Sequence, residues 1–410
     1  MTENMKIKGA EDLISNLPDG ILQHMLCLIP IKLAMSTSLL SRRWRHVWCE
    51  KPSITLGGDT LTAASINETL ARYTAPKKKS FDLLITPITK EKIPYLDRWI
   101  KFATSHNVEN LSLNFSHYYK LPDFFYNSSY FKQLNIYSHT IVPFKCTVSW
   151  TSLHKLSLSC CSLSDKSMAK ILSGCPVLEN LTLYHCGKLK VIDLTKSLRL
   201  KTLVVDRNVM VPEGPTKIVA PHIHYLRLLD SRPSCTLVDV ASLTEAKLDV
   251  CYALSTSYFK SKADFLQDMV LKMLEKLQNA EKLTFGGNFV KILSLVEIRG
   301  VSFPMLKVKS LILDTVIYQY VIPGIQRLLQ NSPDLEKLIV RGRTCSTIPE
   351  EHLDQYLKSL SLNPDQWWRS KDGFSLNNSC WNLQSKKLDK RVVLSGERYL
   401  KFNFKEHSLP

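Results

Sequence analysis

Spacings that would license catalysis are absent from this chain. It contains no phosphate-cradling glycine loop, no G-x-S-x-G elbow and no H-E-x-x-H helix. Gly286-Gly287 lacks the rest of any nucleotide motif and reads as a turn. The eleven cysteines are scattered, without a C-x-x-C pair, and only Cys160 and Cys161 are adjacent. In a reducing compartment they read as small buried hydrophobes. Metal ligation would need clustered Cys and His; His222 and His224 come nearest and read as strand residues. The chain is therefore expected to be non-catalytic, with no metal and no cofactor. What its residues offer is binding, through apolar anchors near the start and small polar or charged groups farther on.

The anchors need elements to display them. Leu17-Pro18-Asp19 reads as a helix start, with Pro18 at the first helical position and Asp19 facing the positive end of the dipole. Ile21, Leu22, Met25, Leu26 and Ile29 then recur at three- and four-residue steps until Pro30. A second short helix fits Lys32–Ser38. A third follows Ser41, an expected N-cap, and carries Trp44, Val47 and Trp48 on one side. Forty residues in three helices cannot enclose so much apolar surface among themselves. Periodicity leaves two outlets open: packing against the following domain, or docking on another protein.

The order of the residues adds a resemblance. Ile14-Ser15-Asn16-Leu17-Pro18-Asp19-Gly20-Ile21-Leu22-Gln23-His24-Met25-Leu26 resembles the opening of an F-box of the plant type. So do Ile29-Pro30-Ile31-Lys32-Leu33-Ala34 and Thr37-Ser38-Leu39-Leu40-Ser41-Arg42-Arg43-Trp44-Arg45 with Trp48. Leu33 departs from the polar or acidic residue often found there, and Met35 and Ser36 match loosely. The resemblance implies docking to a Skp-family adaptor and, through it, to a cullin scaffold. The positions it carries over are Leu17, Pro18, Ile21, Leu22, Leu26, Leu40 and Trp44.

Beyond this segment an L-x-x-L-x-L pattern recurs, its second leucine position falling at Leu111, Leu134, Leu156, Leu181, Leu203, Leu226, Ala246, Leu283, Leu311 and Leu338. The steps match a leucine-rich repeat of roughly 20–29 residues, save one long step that holds a whole amphipathic helix with Phe265, Met269, Met273, Leu274 and Leu277. Each unit is a short strand and a helical return, and stacking buries what one unit leaves wet. The expected fold class is α/β: a three-helix F-box, then a leucine-rich-repeat solenoid of short parallel strands. The expected domains are the F-box at 11–50, a linker with irregular capping repeats at 51–105, the solenoid at 106–341, and a C-terminal cap or tail at 342–410. Within that tail, Trp367-Trp368 reads as packing on the end of the stack, and Arg391 to Phe404, with a Ser395-Gly396 turn, as a hairpin.

Strand side chains alternate. If Leu156 and Leu158 point inward, Ser157 and Ser159 face the concave surface. The same rule places Ser112, Asn114, Thr182, Tyr184, Arg227, Lys247, Asp249, Thr284 and Arg341 there as a candidate face for a protein target. The family resemblance makes this a substrate-recruiting adaptor of an SCF-type ubiquitin ligase.

Net charge is +17, of which residues 1–50 hold only +1. A basic body suits acidic partners, so a nucleic-acid-binding repeat protein is one alternative, although aromatic residues do not interleave with basic clusters. A small-molecule sensor is another. Lys77-Lys78-Lys79 fits a loop tip or an import signal. No apolar run reaches membrane-spanning length, and the N-terminus shows no secretory segment. The expected location is inside the cell, in nucleus or cytoplasm, and no membrane partner is expected.

Overall fold

A computed structural model of the chain describes residue 14 and residues 16–57, 61–75, 79–85, 91–115, 119–138, 147–186, 188–207, 217–230, 235–250, 256–298, 300–342, 348–365, 388–389 and 399–404. Lys77-Lys78, Trp367-Trp368 and the Ser395-Gly396 turn lie outside the described residues. The chain divides into two compact units, residues 1–139 and 140–410.

The first unit opens with α1 (Asp19–Cys27), α2 (Ile31–Ser36) and α3 (Trp44–Val47). Pro18 and Pro30 occupy the N-cap positions of α1 and α2 in extended backbone, one residue ahead of the first-turn position expected for Pro18. A missing N–H costs nothing there, because a helix start leaves its first N–H groups unpaired anyway. Ser41 does not cap the third helix, which begins only at Trp44 and has no side-chain cap. Then come β1 (Ser53–Gly57), α4 (Ala63–Arg72), β2 (Ser80–Ile85), α5 (Leu96–Ser105), β3 (Asn110–Phe115) and β4 (Gln133–Tyr137). All four strands are parallel, in chain order. Ile54 pairs with Phe81, Phe81 with Leu111, and Leu111 with Leu134. The rungs therefore begin two strands before the leucine pattern does. α4 and α5 are the helical returns, burying Ile66, Leu70, Trp99, Ile100 and Ala103 behind the strands.

In the second unit the strands are β5 (Lys155–Ser159), β6 (Asn180–Tyr184), β7 (Val191–Asp193), β8 (Thr202–Arg207), β9 (Lys217–Val219), β10 (Tyr225–Asp230), β11 (Thr236–Asp239), β12 (Glu245–Val250), β13 (Lys282–Gly286), β14 (Ser310–Asp314), β15 (Lys337–Arg341), β16 (Leu388–Asp389) and β17 (Tyr399–Phe404). Its helices are α6 (Asp165–Ser173), α7 (Thr256–Lys276), α8 (Gly287–Ile298), α9 (Ile322–Gln330) and α10 (Glu350–Ser359). The main sheet runs β5-β6-β8-β10-β12-β13-β14-β15, all parallel, and ends on β17 and β16, which run antiparallel. Its rungs are Leu156, Leu181, Leu203, Leu226, Ala246, Leu283, Leu311 and Leu338, each paired with the next. A parallel rung requires a crossover between consecutive strands. Here it is either a helix or, between β6 and β12, a strand of a second three-stranded sheet with β9 between β7 and β11.

Two kinds of contact stitch repeat to repeat. After β5 and β6 the chain turns through left-handed backbone at Cys160 and His185, with φ of 58° and 51°, and their N–H groups donate to Tyr184 and Asp206 carbonyls at 2.8 Å. Just beyond, Cys161 and Cys186 hold the position that Cys or Asn takes in such repeats, and Cys186 Sγ donates to the Leu158 carbonyl at 3.4 Å. Contact with the Cys161 thiol and burial hold the Cys186 thiol well above its usual range, so it stays protonated and inert. Asn288 takes that position after β13, donating to Val250 O at 2.6 Å and accepting from Ile348 N at 2.7 Å.

Gly286-Gly287 is a direct strand-to-helix junction, the last residue of β13 and the first of α8. From Asn288 to Val296 every residue of α8 is buried, including Lys291, whose Nζ donates to Ile348 O at 2.8 Å and lies 5.4 Å from the Tyr318 ring. Burial pushes this amine down to about 8. On α7 the expected apolar side is shifted: Met269, Met273, Leu274 and Leu277 are buried, but Phe265 faces outward, and the buried strip runs through Leu266 and Val270 instead.

Candidate functional site

The N-terminal helices are held closed by their own sequence ends. The Arg43 guanidinium donates to Asp19 Oδ1 at 2.6 Å and to the Leu17 carbonyl, fastening the start of α3 to the start of α1. Trp48 Nε1 donates to Ser38 Oγ at 3.0 Å. Beneath this clasp Leu22, Leu26, Ile31, Ala34, Trp44, Val47 and Trp48 are buried. Cys27 Sγ donates to the Ser53 carbonyl and Thr69 Oγ1 to Met35 Sδ, joining the helices to β1 and α4.

Of the two outlets left open by periodicity, the first takes one apolar stripe into the chain's own core, and a second stripe stays exposed. Residues four apart share a helix face, and α1 carries two such stripes side by side. Leu22 and Leu26 face the chain's own core, while Ile21 and Met25 are exposed at 48% and 43%. Leu28, Leu33, Leu39 and Leu40 extend the outer surface, Leu39 being 90% exposed. Of the seven anchors named from sequence, Pro18, Ile21 and Leu40 are exposed and Leu17 is half-buried. Leu22, Leu26 and Trp44 are not available to a partner, because they form the core that supports the exposed residues. Met25, Leu28 and Leu39 join the surface; the i, i+4, i+7 spacing of Ile21, Met25 and Leu28 was the signal for that stripe.

The second surface is the outward face of the strands. In the first unit Ser112 and Asn114 lie on it, half-buried, with the Asn114 Oδ1 buried and without a hydrogen-bond partner among the described residues. In the second unit one row runs Ser157, Thr182, Val204, Arg227, Lys247, Thr284, Ile312 and Ile339. The next runs Ser159, Tyr184, Asp206, Leu229 and Asp249, then Gly286, Asp314 and Arg341. Thr284 is the one expected face residue that is buried. Its cross-strand neighbour Lys247 reaches over β13 to Asp314 Oδ2 on β14, 2.5 Å away, and covers it.

Arg341 Nη1 approaches the other oxygen of Asp314 at 3.6 Å, so one carboxylate serves two cations. The Asp249 carboxyl occupies the space that a side chain at Gly286 would fill, since a Cβ there would come within 2.1 Å of its carboxyl atoms. Burial pushes Asp249 up to about 6, with the Val250 N–H and Lys247 opposing and Asp314 adding to the rise. Asp206, 3.9 Å from His185 Nδ1, is also raised by burial, against the pull of His185 and Arg227. Among the described residues no group of three or more His, Cys, Asp or Glu could hold a metal ion, and no helix is long and apolar enough to cross a membrane.

Known proteins resemble this chain in sequence. A family model described as "FBD-associated F-box protein At5g56370, LRR repeats" matches residues 96–248. The chain is 52% identical to the putative F-box/LRR-repeat protein At3g18150 of Arabidopsis thaliana, over 97% of this chain and 90% of that relative. It is 51% identical to the F-box/LRR-repeat protein At3g03360 of the same plant, over 93% and 81%, and 50% identical to At5g02910, over 88% and 79%. With the parallel rungs and the helical N-terminus in place, these similarities establish that the chain belongs to the F-box/LRR-repeat family.

Proposed function

We propose that this chain is a non-catalytic, substrate-recruiting subunit of an SCF-type ubiquitin ligase, working inside the cell in nucleus or cytoplasm. The α1–α3 segment docks on a Skp-family adaptor, which links it to a cullin, and the outward strand face holds a protein target. The observation that carries this reading is the exposed run of Ile21, Met25, Leu28, Leu33, Leu39 and Leu40 on a segment whose other face is already packed on its own chain. Exposed large apolar side chains concentrated in so short a segment mark a protein contact. The work of such a subunit is proximity: holding a target beside a charged conjugating enzyme makes the transfer effectively unimolecular and needs no nucleophile here.

Co-purification with a Skp-family adaptor tests it. Leu39→Asp with Leu40→Asp should cut adaptor recovery at least about tenfold, since each exposed leucine that docks contributes about 1.5–3 kcal/mol. Leu17→Ala with Pro18→Ala should weaken it less. Leu198→Asp, equally exposed in the second unit, should change nothing. Equal adaptor recovery from the wild type and from the Leu39/Leu40 variant, each folded by circular dichroism, would sink the reading.

A further inference from the structure

The strand face of the second unit narrows the chemistry of the target. Three cations stand in the two central rows of that face: Arg227, Lys247 and Arg341. Lys247 and Arg341 are both engaged with Asp314. Arg227 is half-buried and has no hydrogen bond or ion pair among the described residues. Asp206, the acid whose titration it influences, keeps no ion pair with it and lies against His185 instead.

A guanidinium cannot shed its charge within the physiological range. Held partly out of water without an acceptor, it carries a desolvation cost that an incoming anion would relieve. Its surroundings specify the kind of anion. Val204 pairs directly across from Arg227, and Leu229 lies two residues along the same strand on the same face, both half-buried. On its other side Lys247 pairs across from it but is committed to Asp314, so an uncommitted guanidinium beside Val204 and Leu229 suits one acidic group next to an apolar residue. A nucleic acid would need several free cations tracking its phosphates and aromatic platforms for its bases, and the central rows provide only this one free cation among the described residues.

We propose that the second unit reads an anionic side chain of its protein target, a carboxylate or a phosphate flanked by apolar residues, through the Arg227 guanidinium. This rests on the strand face being the target-binding surface.

The experiment uses the full chain with immobilised peptide pools, randomised at every position but the centre, which carries Glu, phosphoserine, Ser or Lys. An oligothymidylate serves as a further arm. The chain should retain the Glu or the phosphoserine pool over the Ser and Lys pools, and the preferred pool names the source of the anion. Arg227→Gln should weaken that retention at least about tenfold, the scale of one charge-assisted hydrogen bond. Arg199→Gln removes the same charge from an exposed return position and should leave it unchanged. Adaptor co-purification of Arg227→Gln should equal wild type, which shows a folded chain and keeps this result separate from the docking of α1–α3. Equal retention of all pools, equal loss in both variants, or retention of the oligothymidylate alone would overturn the proposal.

Discussion

Asp249 shows how a strand face can carry a titration of its own. Its folded value of about 6 lies above the ordinary carboxylate value of 3.8, with burial the main cause. A raised carboxyl binds its proton more tightly in the folded chain. Its contribution to stability is therefore complete below about pH 4 and is lost as the pH rises through about 6. Asp249→Asn keeps an acceptor for the Val250 N–H and removes the ionisation. Thermal melts should show the variant more stable above pH 6, by up to about 2 kcal/mol, with no gain near pH 4. A constant offset at both pH values would refute burial as the cause. The neighbouring Thr284 marks what strand alternation cannot convey. The alternation places Thr284 on the outward face, but its burial depends on its neighbours there, Ile312 and a Lys247 side chain committed to an acid two strands away.

The elements were legible wherever one leucine pattern ruled. Each pairing of Leu156, Leu181, Leu203 and Leu226 follows from the spacing because a parallel rung must keep the same residue in the core at every step. Ile54 and Phe81 were missed as rungs because they carry the same burial with different side chains. On α1 the periodicity gave the apolar residues but not their division, since Ile21 and Leu22 are equally apolar and only the packing of α1 on α3 and the rest of its own unit separates them. At the exit of β1, Gly57 adopts φ of 132°, and a Cβ would sit 1.8 Å from the Leu84 carbonyl oxygen. Gly57→Ala forces the first rung apart. It should cost about 2–3 kcal/mol, the scale of a strained backbone position, in chemical denaturation; a loss below a few tenths would show that β1 shifts freely.

In the molecule as a whole each strand meets mainly its neighbours, so stability is built from repeat-to-repeat interfaces and the last repeat needs a cover. In the second unit β17 supplies it, pairing antiparallel along the whole of β15 from Lys337 to Arg341. An uncovered edge is a template for another chain. A chain ending at residue 365 should therefore self-associate with rising concentration in light scattering, whereas the full chain should not; a truncated chain that stays monodisperse would assign the protection elsewhere. The C-terminal hairpin was only partly visible in the sequence, because antiparallel closure replaces the leucine rung with Phe402 opposite Leu338. Lys247 and Asp314 have a further mechanical consequence. Their bridge spans two inter-strand intervals, about 10 Å, and acts as a tie rod across the arc from β12 to β14. Splaying β12 from β14 would have to stretch or break that ion pair. Opening of the second unit between β12 and β14 is thus resisted, and whatever settles on that segment meets strands tied together across β13.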